Sequence, residues 1–171
     1  MDGPSHRRRI AVEAETRLRC AIITISDTRT VDDDVSGDTI MRALTDDGHE
    51  VIYRTIVPDD GERILAALDE ALALNVAVIV TNGGTGIARR DVTFEFLQGR
   101  LERTLPGFGE LFRALSFPEI GPAAILTRAT AGTIAETLVF VLPGSPHAVE
   151  TALDGLILPD LPHLAWEITR R

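Results

Sequence analysis

Short polar segments that follow apolar runs hold most of the residues suited to chemistry. The most prominent is Asn82-Gly83-Gly84-Thr85-Gly86, which is followed by Arg89-Arg90-Asp91. Glycine lets the backbone adopt positive φ and bring its N–H groups close to an anion, and a following helix N-terminus favours the same charge. By itself the Gly83–Gly86 loop is as compatible with a tight structural turn as with a phosphate site.

The charged neighbours of this loop favour the phosphate site. Arg89 and Arg90 could pair with phosphate or carboxylate, and Asp91 could hold a magnesium ion. Each also has a plainer interpretation. The arginines could form a solvated helix start, and Asp91 could cap the turn that includes Thr93.

Asp59 and Asp60 form a second candidate, after the apolar run Val51–Val57. As caps they would complement a helix macrodipole. In a functional role, one of them would lie beside Asp91, because the strands that precede the two acids are expected to be neighbours in the sheet. The pair would then bind magnesium and nucleotide phosphates, which the net charge of −9 would otherwise repel.

Three other polar features are interpreted structurally. The acidic run Asp32–Asp34 is predicted to be a solvated loop rather than a metal site. His147 is expected at an exposed helix start. Cys20 begins a predicted buried strand and is expected in the core.

Composition excludes several classes of protein. All 17 basic residues are arginine, which excludes a lysine Schiff base and a Walker-A loop. A single cysteine excludes an intrachain disulfide and a cysteine-rich zinc site. Short-chain dehydrogenases carry their glycine loop after the first strand and use a Tyr and Lys pair for proton transfer. Here the loop follows the third predicted strand and the chain has no lysine, so this class is excluded. The acidic balance argues against nucleic-acid binding.

No apolar run approaches the length of a membrane span, and the densest, Val76 to Val80, has the length of a strand. Arg7, Arg8 and Arg9 are not followed by the apolar stretch of a signal peptide. We therefore expect a cytoplasmic protein that binds no membrane.

Strand-like runs alternate with amphipathic stretches. The first predicted helix is capped by Ser36 or Asp38 and ends at Gly48. The second is capped by Asp59 or Asp60, and the third by Thr93. Others open at Gly107 and Pro146. Pro159 and Pro162 are predicted to interrupt the latter, and a last helix contains Leu164 and Ile168. The segment 127–136 is predicted to be a strand with a turn at Gly132. The predicted strands are Cys20–Ile25, Val51–Val57, Val76–Thr81, Ala123–Leu126 and Thr137–Leu142.

This alternation predicts a three-layer α/β/α fold, with a mostly parallel sheet and helices on both faces. Residues 1–19 are predicted to be a flexible tail and residues 20–171 a single domain. Ligands of such sheets bind beyond the carboxyl ends of the strands. The candidate substrate-binding residues at these ends are Ser26, Asp27, Gly83, Gly84, Thr85, Gly86, Arg90, Thr127, Arg128, Pro143, Gly144 and Ser145.

An ordered set of motifs covers nearly everything from Cys20 onward. It comprises T-I-S-D, S-G-D, V-P-D-D, T-N-G-G-T-G, R-D-V-T, P-G-F-G-E and L-P-G-S-P, from Thr24 to Pro146. In this combination the chain resembles the MoaB and MogA family of molybdenum cofactor biosynthesis proteins, which share the molybdopterin-binding fold. The segment Leu115–Gly121 is closer to the MoaB branch. Phe94 departs from the family pattern, which usually has proline there.

The resemblance implies Mg-ATP-dependent adenylylation of molybdopterin, giving adenylylated molybdopterin and pyrophosphate. It places the catalytic, metal-binding acids at Asp59 and Asp91. A homo-oligomer, trimer or hexamer, is expected, with other molybdenum cofactor biosynthesis enzymes as further partners. A non-catalytic molybdopterin carrier or scaffold is the alternative, and general nucleotide binding is a third possibility. Tungstate-using relatives share the motif.

Overall fold

Strands and helices alternate along most of the part of the chain described by the computed structural model, residues 17–89 and 91–169. The strands are β1 (Arg19–Ile25), β2 (Glu50–Val57), β3 (Val78–Asn82), β4 (Arg103–Thr104), β5 (Thr130–Ile134) and β6 (Thr137–Leu142). The helices are α1 (Val35–Asp46), α2 (Gly61–Ala73), α3 (Thr93–Arg100), α4 (Pro106–Ile120), α5 (Pro146–Ala152) and α6 (Leu161–Thr169). A π-helical turn (Leu153–Ile157) and a 3-10 turn (Leu158–Asp160) join α5 to α6.

The six strands form one sheet in the order β2-β1-β3-β6-β5-β4. The first four are parallel, whereas β5 and β4 run antiparallel to their neighbours. All five residues of β3 are buried, as expected of a strand covered on both faces. The strand before the Gly83–Gly86 loop, predicted from its apolar sequence, is therefore a central strand of the sheet.

Alternate residues of β1 enter two different hydrophobic cores. Cys20 and Ile22 face the core that also contains Ile40 of α1 and Phe112 of α4. Ala21, Ile23 and Ile25 face the second core, which is completed by α2 and by Leu97 of α3. Helices thus cover both faces of the sheet, and the predicted three-layer fold is confirmed.

The predicted strand Ala123–Leu126 is wrong, because this segment forms part of a 3-10 helix, Gly121–Leu126. Gly121 adopts φ +57 at the end of α4, and a proline follows it. Only Ala124 of this segment is buried, and Ile125 is 82% exposed. Its apolar residues therefore face outward instead of joining the sheet.

The turn predicted at Gly132 is also misplaced. Gly132 lies inside β5, where it pairs with Thr104, and a Cβ there would overlap the Arg103 carbonyl oxygen. The reversal comes at Ala135, which adopts φ +49, and Glu136. The glycine is needed for the close approach of β4.

Helix starts differ from several predicted caps. Asp34, not Ser36 or Asp38, caps α1 by accepting the Gly37 N–H at 2.9 Å. Thr93 is the first residue of α3 rather than its cap. α4 begins at Pro106, one residue before Gly107. The end of α1 before Gly48 and the start of α5 at Pro146 agree with the predictions.

The predicted tail, residues 1–19, lies mostly outside the described residues. Of its described part, Leu18 is buried and Arg19 begins β1. Cys20 is fully buried, as predicted, and burial raises the pKa of its thiol to about 12. Within the described ranges, no helix is both long and apolar enough to cross a membrane.

Candidate functional site

The carboxyl ends of β1, β3 and β6 open into a cleft of about 590 Å³. It lies at the topological switch point of the sheet, because the chain places β2 on one side of β1 and then β3 on the other. The predicted substrate-binding residues line it except for Asp27 and Arg128, which lie beside it, and Arg90, which is outside the described residues. The lining residues are Ile25, Ser26, Thr28, Arg29, Gly83, Gly84, Thr85, Gly86, Leu126, Thr127, Pro143, Gly144 and Ser145.

The glycine loop requires glycine at two positions. Gly83 adopts φ +103, and a Cβ there would overlap the carbonyl oxygen of Ile25 at the end of β1. Gly84 adopts φ +62, and its Cβ would lie 2.6 Å from a carboxylate oxygen of Asp59. The absence of side chains therefore lets the loop backbone lie directly against β1 and against an acid.

Asp59 and Asp60 have different roles. Asp60 caps α2 by accepting the Arg63 N–H at 3.0 Å. Asp59 Oδ1 instead accepts the Val92 N–H at 3.3 Å and the Thr93 hydroxyl at 3.1 Å, both at the start of α3. The Asp59 N–H donates to Asp27 Oδ1 at 3.0 Å. Asp27 thereby positions the backbone of Asp59 without lining the cleft.

Asp91, two residues before α3, approaches the same loop. Its Oδ2 accepts the Ala88 N–H at 3.0 Å, and a Cβ at Gly86 would overlap that oxygen. The carboxylates of Asp59 and Asp91 therefore border one loop, at Gly84 and Gly86 respectively. The expectation that the preceding strands are neighbours was wrong, since β1 separates β2 from β3. The acids approach each other because the start of α3 reaches across to Asp59.

The surroundings of Asp59 disfavour its ionised form. Burial raises the pKa of this carboxyl, the bonds from Thr93 and Val92 lower it, and the charges of Asp91 and Asp27 raise it further, with a net increase. A bound cation would favour the ionised form. No cluster of three or more His, Cys, Asp or Glu side chains suited to a metal occurs among the described residues. Two carboxylates fit Mg²⁺, which commonly takes its remaining ligands from substrate phosphates and water.

Arg128 holds the glycine loop against α3. Its Nε donates to the Thr85 carbonyl at 2.9 Å, and its Nη2 donates to the carbonyls of Gly86 and of Asp91, the latter at 3.2 Å. Its Nη1 pairs with Glu95, and the guanidinium lies 4.9 Å from the centre of the Phe94 ring. These contacts direct the arginine to protein carbonyls rather than to the 590 Å³ cleft. Phe94, the departure from the family pattern, supplies the surface on which Arg128 stacks.

Arg29 lines the cleft and was not among the predicted site residues. Its Nη1 donates to Ser36 Oγ and its Nη2 to the Gly144 carbonyl, both at 3.2 Å. Its position in S-D-T-R, just after β1, could have identified it, because the strand-end rule that selected Ser26 and Asp27 also covers Arg29.

The prediction of a solvated loop fails at Asp34. Asp34 is 0% exposed and accepts the Thr24 hydroxyl at 2.8 Å and an Arg54 N–H at 2.9 Å. Asp32 and Asp33 are exposed, as predicted. His147 is exposed at the start of α5, as predicted, and pairs with Glu119.

Comparisons with known proteins point to one family. A family model described as "Probable molybdopterin binding domain" matches residues 21–163. "Molybdenum cofactor biosynthesis protein B" of Bacillus cereus is 47% identical over 161 residues, covering 93% of this chain and 95% of the relative.

Two solved structures extend this similarity to the fold. A crystal structure of a molybdenum cofactor biosynthesis protein B superposes with a TM-score of 0.87 at 46% identity, covering 91% of this chain and 98% of the other. The tungsten cofactor synthesizing protein MoaB from Pyrococcus furiosus gives 0.83 at 41% identity, covering 91% and 99%.

Proposed function

This chain belongs to the MoaB and MogA family of molybdenum cofactor biosynthesis proteins, and from that membership we propose that it adenylylates molybdopterin. The reaction would use Mg-ATP and release pyrophosphate. The role in molybdenum cofactor biosynthesis follows from the family. The adenylyl transfer is our proposal, and the predicted cytoplasmic location, homo-oligomeric state and further enzyme partners stay predictions.

The observation that carries the proposal is the position of the Asp59 and Asp91 carboxylates beside Gly84 and Gly86 of the loop that lines the cleft. In the reaction, a phosphate oxygen of molybdopterin attacks the α-phosphorus of ATP. One P–O bond forms, and the bond from that phosphorus to the oxygen bridging to the β-phosphate breaks. Pyrophosphate leaves with the bonding electrons.

Such a transfer needs positioning and charge neutralisation more than covalent help from the protein. Asp59 and Asp91 would hold Mg²⁺, which neutralises phosphate charge when bound. The Gly83–Gly86 loop, which lines the cleft, would border the phosphate groups. Asp27 and Arg128 hold the acid and the loop in place.

The test is incubation of the purified chain with molybdopterin, ATP and magnesium, measuring adenylylated product and pyrophosphate. Asp59→Asn and Asp91→Asn should each lose at least about a hundredfold in rate, because metal binding is worth several kcal/mol. Asp60→Asn is the matched control and should be nearly silent, since Asn caps a helix about as well as Asp.

Near wild-type turnover in both Asp59→Asn and Asp91→Asn would contradict the metal-binding role and leave them as structural acids. A wild-type chain that binds molybdopterin but forms no product would contradict the enzymatic proposal. That result would favour the carrier or scaffold.

A further inference from the structure

The cleft carries a positive charge where the segment after β1 meets the P-G-S-P loop. Arg29 supplies it, and its bonds to Ser36 and to the Gly144 carbonyl fix its guanidinium. Among the described lining residues it is the only cation. Its side chain is 30% exposed, so a ligand can reach it.

We propose that Arg29 binds a phosphate group of one of the two substrates. This rests on the proposed adenylyl transfer, which brings the ATP triphosphate and the molybdopterin phosphate into one cleft. Gly144 packs against Gly83 of the glycine loop, and Gly84 lies against Asp59. A continuous run of backbone contacts thus connects Arg29, through Gly144, Gly83 and Gly84, to Asp59.

The charge of Arg29 is only weakly neutralised by the protein. Its nearest acid, Asp34, is 3.9 Å away, whereas Arg54 lies 2.9 Å from that carboxylate. Asp34 also accepts from the Thr24 hydroxyl and the Gly37 N–H. Other donors therefore satisfy most of the Asp34 carboxylate, and the positive charge of Arg29 remains available to an anion.

Donor groups are also available on the guanidinium. Arginine carries about five N–H donors in a planar fork that suits phosphate. The described contacts use one donor on Nη1 and one on Nη2. These two bonds orient the fork without using all of its donors.

Ser36 is the positioning residue for this arginine. It is fully buried at the start of α1, accepts from Arg29 and donates to the Gly144 carbonyl at 2.9 Å. It thereby ties α1 and the P-G-S-P loop to the same guanidinium. Its loss would free Arg29 to move without changing the charge of the site.

The test is calorimetric titration of the full chain with Mg-ATP and, separately, with molybdopterin, at low and high salt. Arg29→Gln should weaken at least one ligand by about tenfold or more, because a charge-assisted hydrogen bond is lost. It should also make that affinity less dependent on salt, since a charge pair is gone. The ligand that loses affinity identifies the phosphate that Arg29 holds.

Two variants serve as controls for charge, and a third tests the positioning by Ser36. Arg42→Gln changes the net charge equally on an exposed part of α1, and it should leave both affinities within about twofold, since exposed charges are screened. Arg29→Lys should keep the salt dependence and recover only part of the affinity, because an ammonium lacks the planar fork. Ser36→Ala should weaken binding with an unchanged salt dependence.

Unchanged affinity for both ligands in a folded Arg29→Gln variant would overturn this inference and leave the proposed reaction intact. The same holds if Arg42→Gln loses as much affinity as Arg29→Gln. The binding measurement does not need turnover. If the wild type forms no product, an Arg29-dependent affinity still supports the phosphate-binding role while the proposed reaction fails.

Discussion

Asp59, the proposed metal ligand, illustrates how a half-buried carboxylate can reduce stability. Its folded-state pKa is raised, mainly by burial. A carboxyl with a raised folded pKa binds its proton more tightly in the folded than in the unfolded state. The free energy of unfolding therefore falls as pH rises from the ordinary value through the raised one, and the penalty persists at neutral pH.

Asp59→Asn removes this charge but keeps an oxygen for the Val92 N–H and the Thr93 hydroxyl. We expect its free energy of unfolding at neutral pH to equal or exceed that of the wild type, while adenylylation is lost. The advantage should shrink as pH falls and vanish once the wild-type carboxyl is protonated. Urea unfolding across acidic to neutral pH measures this. A variant less stable than wild type at neutral pH would mean that the negative charge stabilises the start of α3.

At the scale of elements, Arg128 links the glycine loop to α3 through three carbonyls, Glu95 and Phe94. Arg128→Lys keeps the charge but loses the planar fork and much of the ring contact. We expect kcat/KM for the proposed adenylylation to fall about tenfold, because the lost contacts are worth about 1–3 kcal/mol.

Hydrogen exchange distinguishes the reason for that loss. The amides of the glycine loop and the start of α3 should exchange faster in Arg128→Lys, while those of the central strands stay protected. Unchanged exchange together with unchanged kinetics would show that Arg128 is dispensable for holding the loop.

Two aspartates begin two helices in different surroundings. Asp34 is fully buried against Arg54 and Thr24 at the start of α1, whereas Asp60 is exposed at the start of α2. Asp34→Ala should lower the free energy of unfolding by about 3–5 kcal/mol, because it breaks a buried ion pair. Asp60→Ala should cost about 1 kcal/mol as a lost cap. Equal losses in urea unfolding would contradict the structural role of Asp34.

At the scale of the whole molecule, Cys20 reports on the opening of the sheet. Its thiol is fully buried in β1 and its pKa is raised to about 12 by burial, so the reactive thiolate is scarce. We expect alkylation at mildly alkaline pH only through unfolding, with the labelling rate increasing with urea as the unfolded fraction grows. Rapid labelling of the folded protein would show that β1 opens locally.

The most apolar described surface lies on α4 and the 3-10 helix after it. Its exposed residues are Leu111, Leu115, Phe117, Ile120, Ile125 and Leu126. If the predicted homo-oligomer buries this face, Phe117→Glu should lower the mass measured by light scattering at micromolar concentration. Gln98→Glu, an equal charge change at an exposed position of α3, should leave the mass unchanged. A wild-type monomer would contradict the predicted homo-oligomer.

The alternation of strands and helices and the position of the glycine loop depend on local features that are visible in the sequence, whereas the order of the strands in the sheet does not. The run Val76–Thr81 is apolar up to Val80 and precedes Gly83–Gly86, so it predicts a buried strand that opens into a turn. The structure confirms this with β3 and the loop at its end. Periodicity and turn residues act over a few positions, and they therefore determined the layers and the edge of the sheet that carries the cleft.

The directions of the polar side chains were decided only by the tertiary structure. Which of Asp59 and Asp60 faces the glycine loop depends on the start of α3, more than thirty residues later. Arg29 is oriented by Gly144, 115 residues away in the chain. The orientation of a long or charged side chain depends on partners that only folding brings near, and no local pattern encodes those partners.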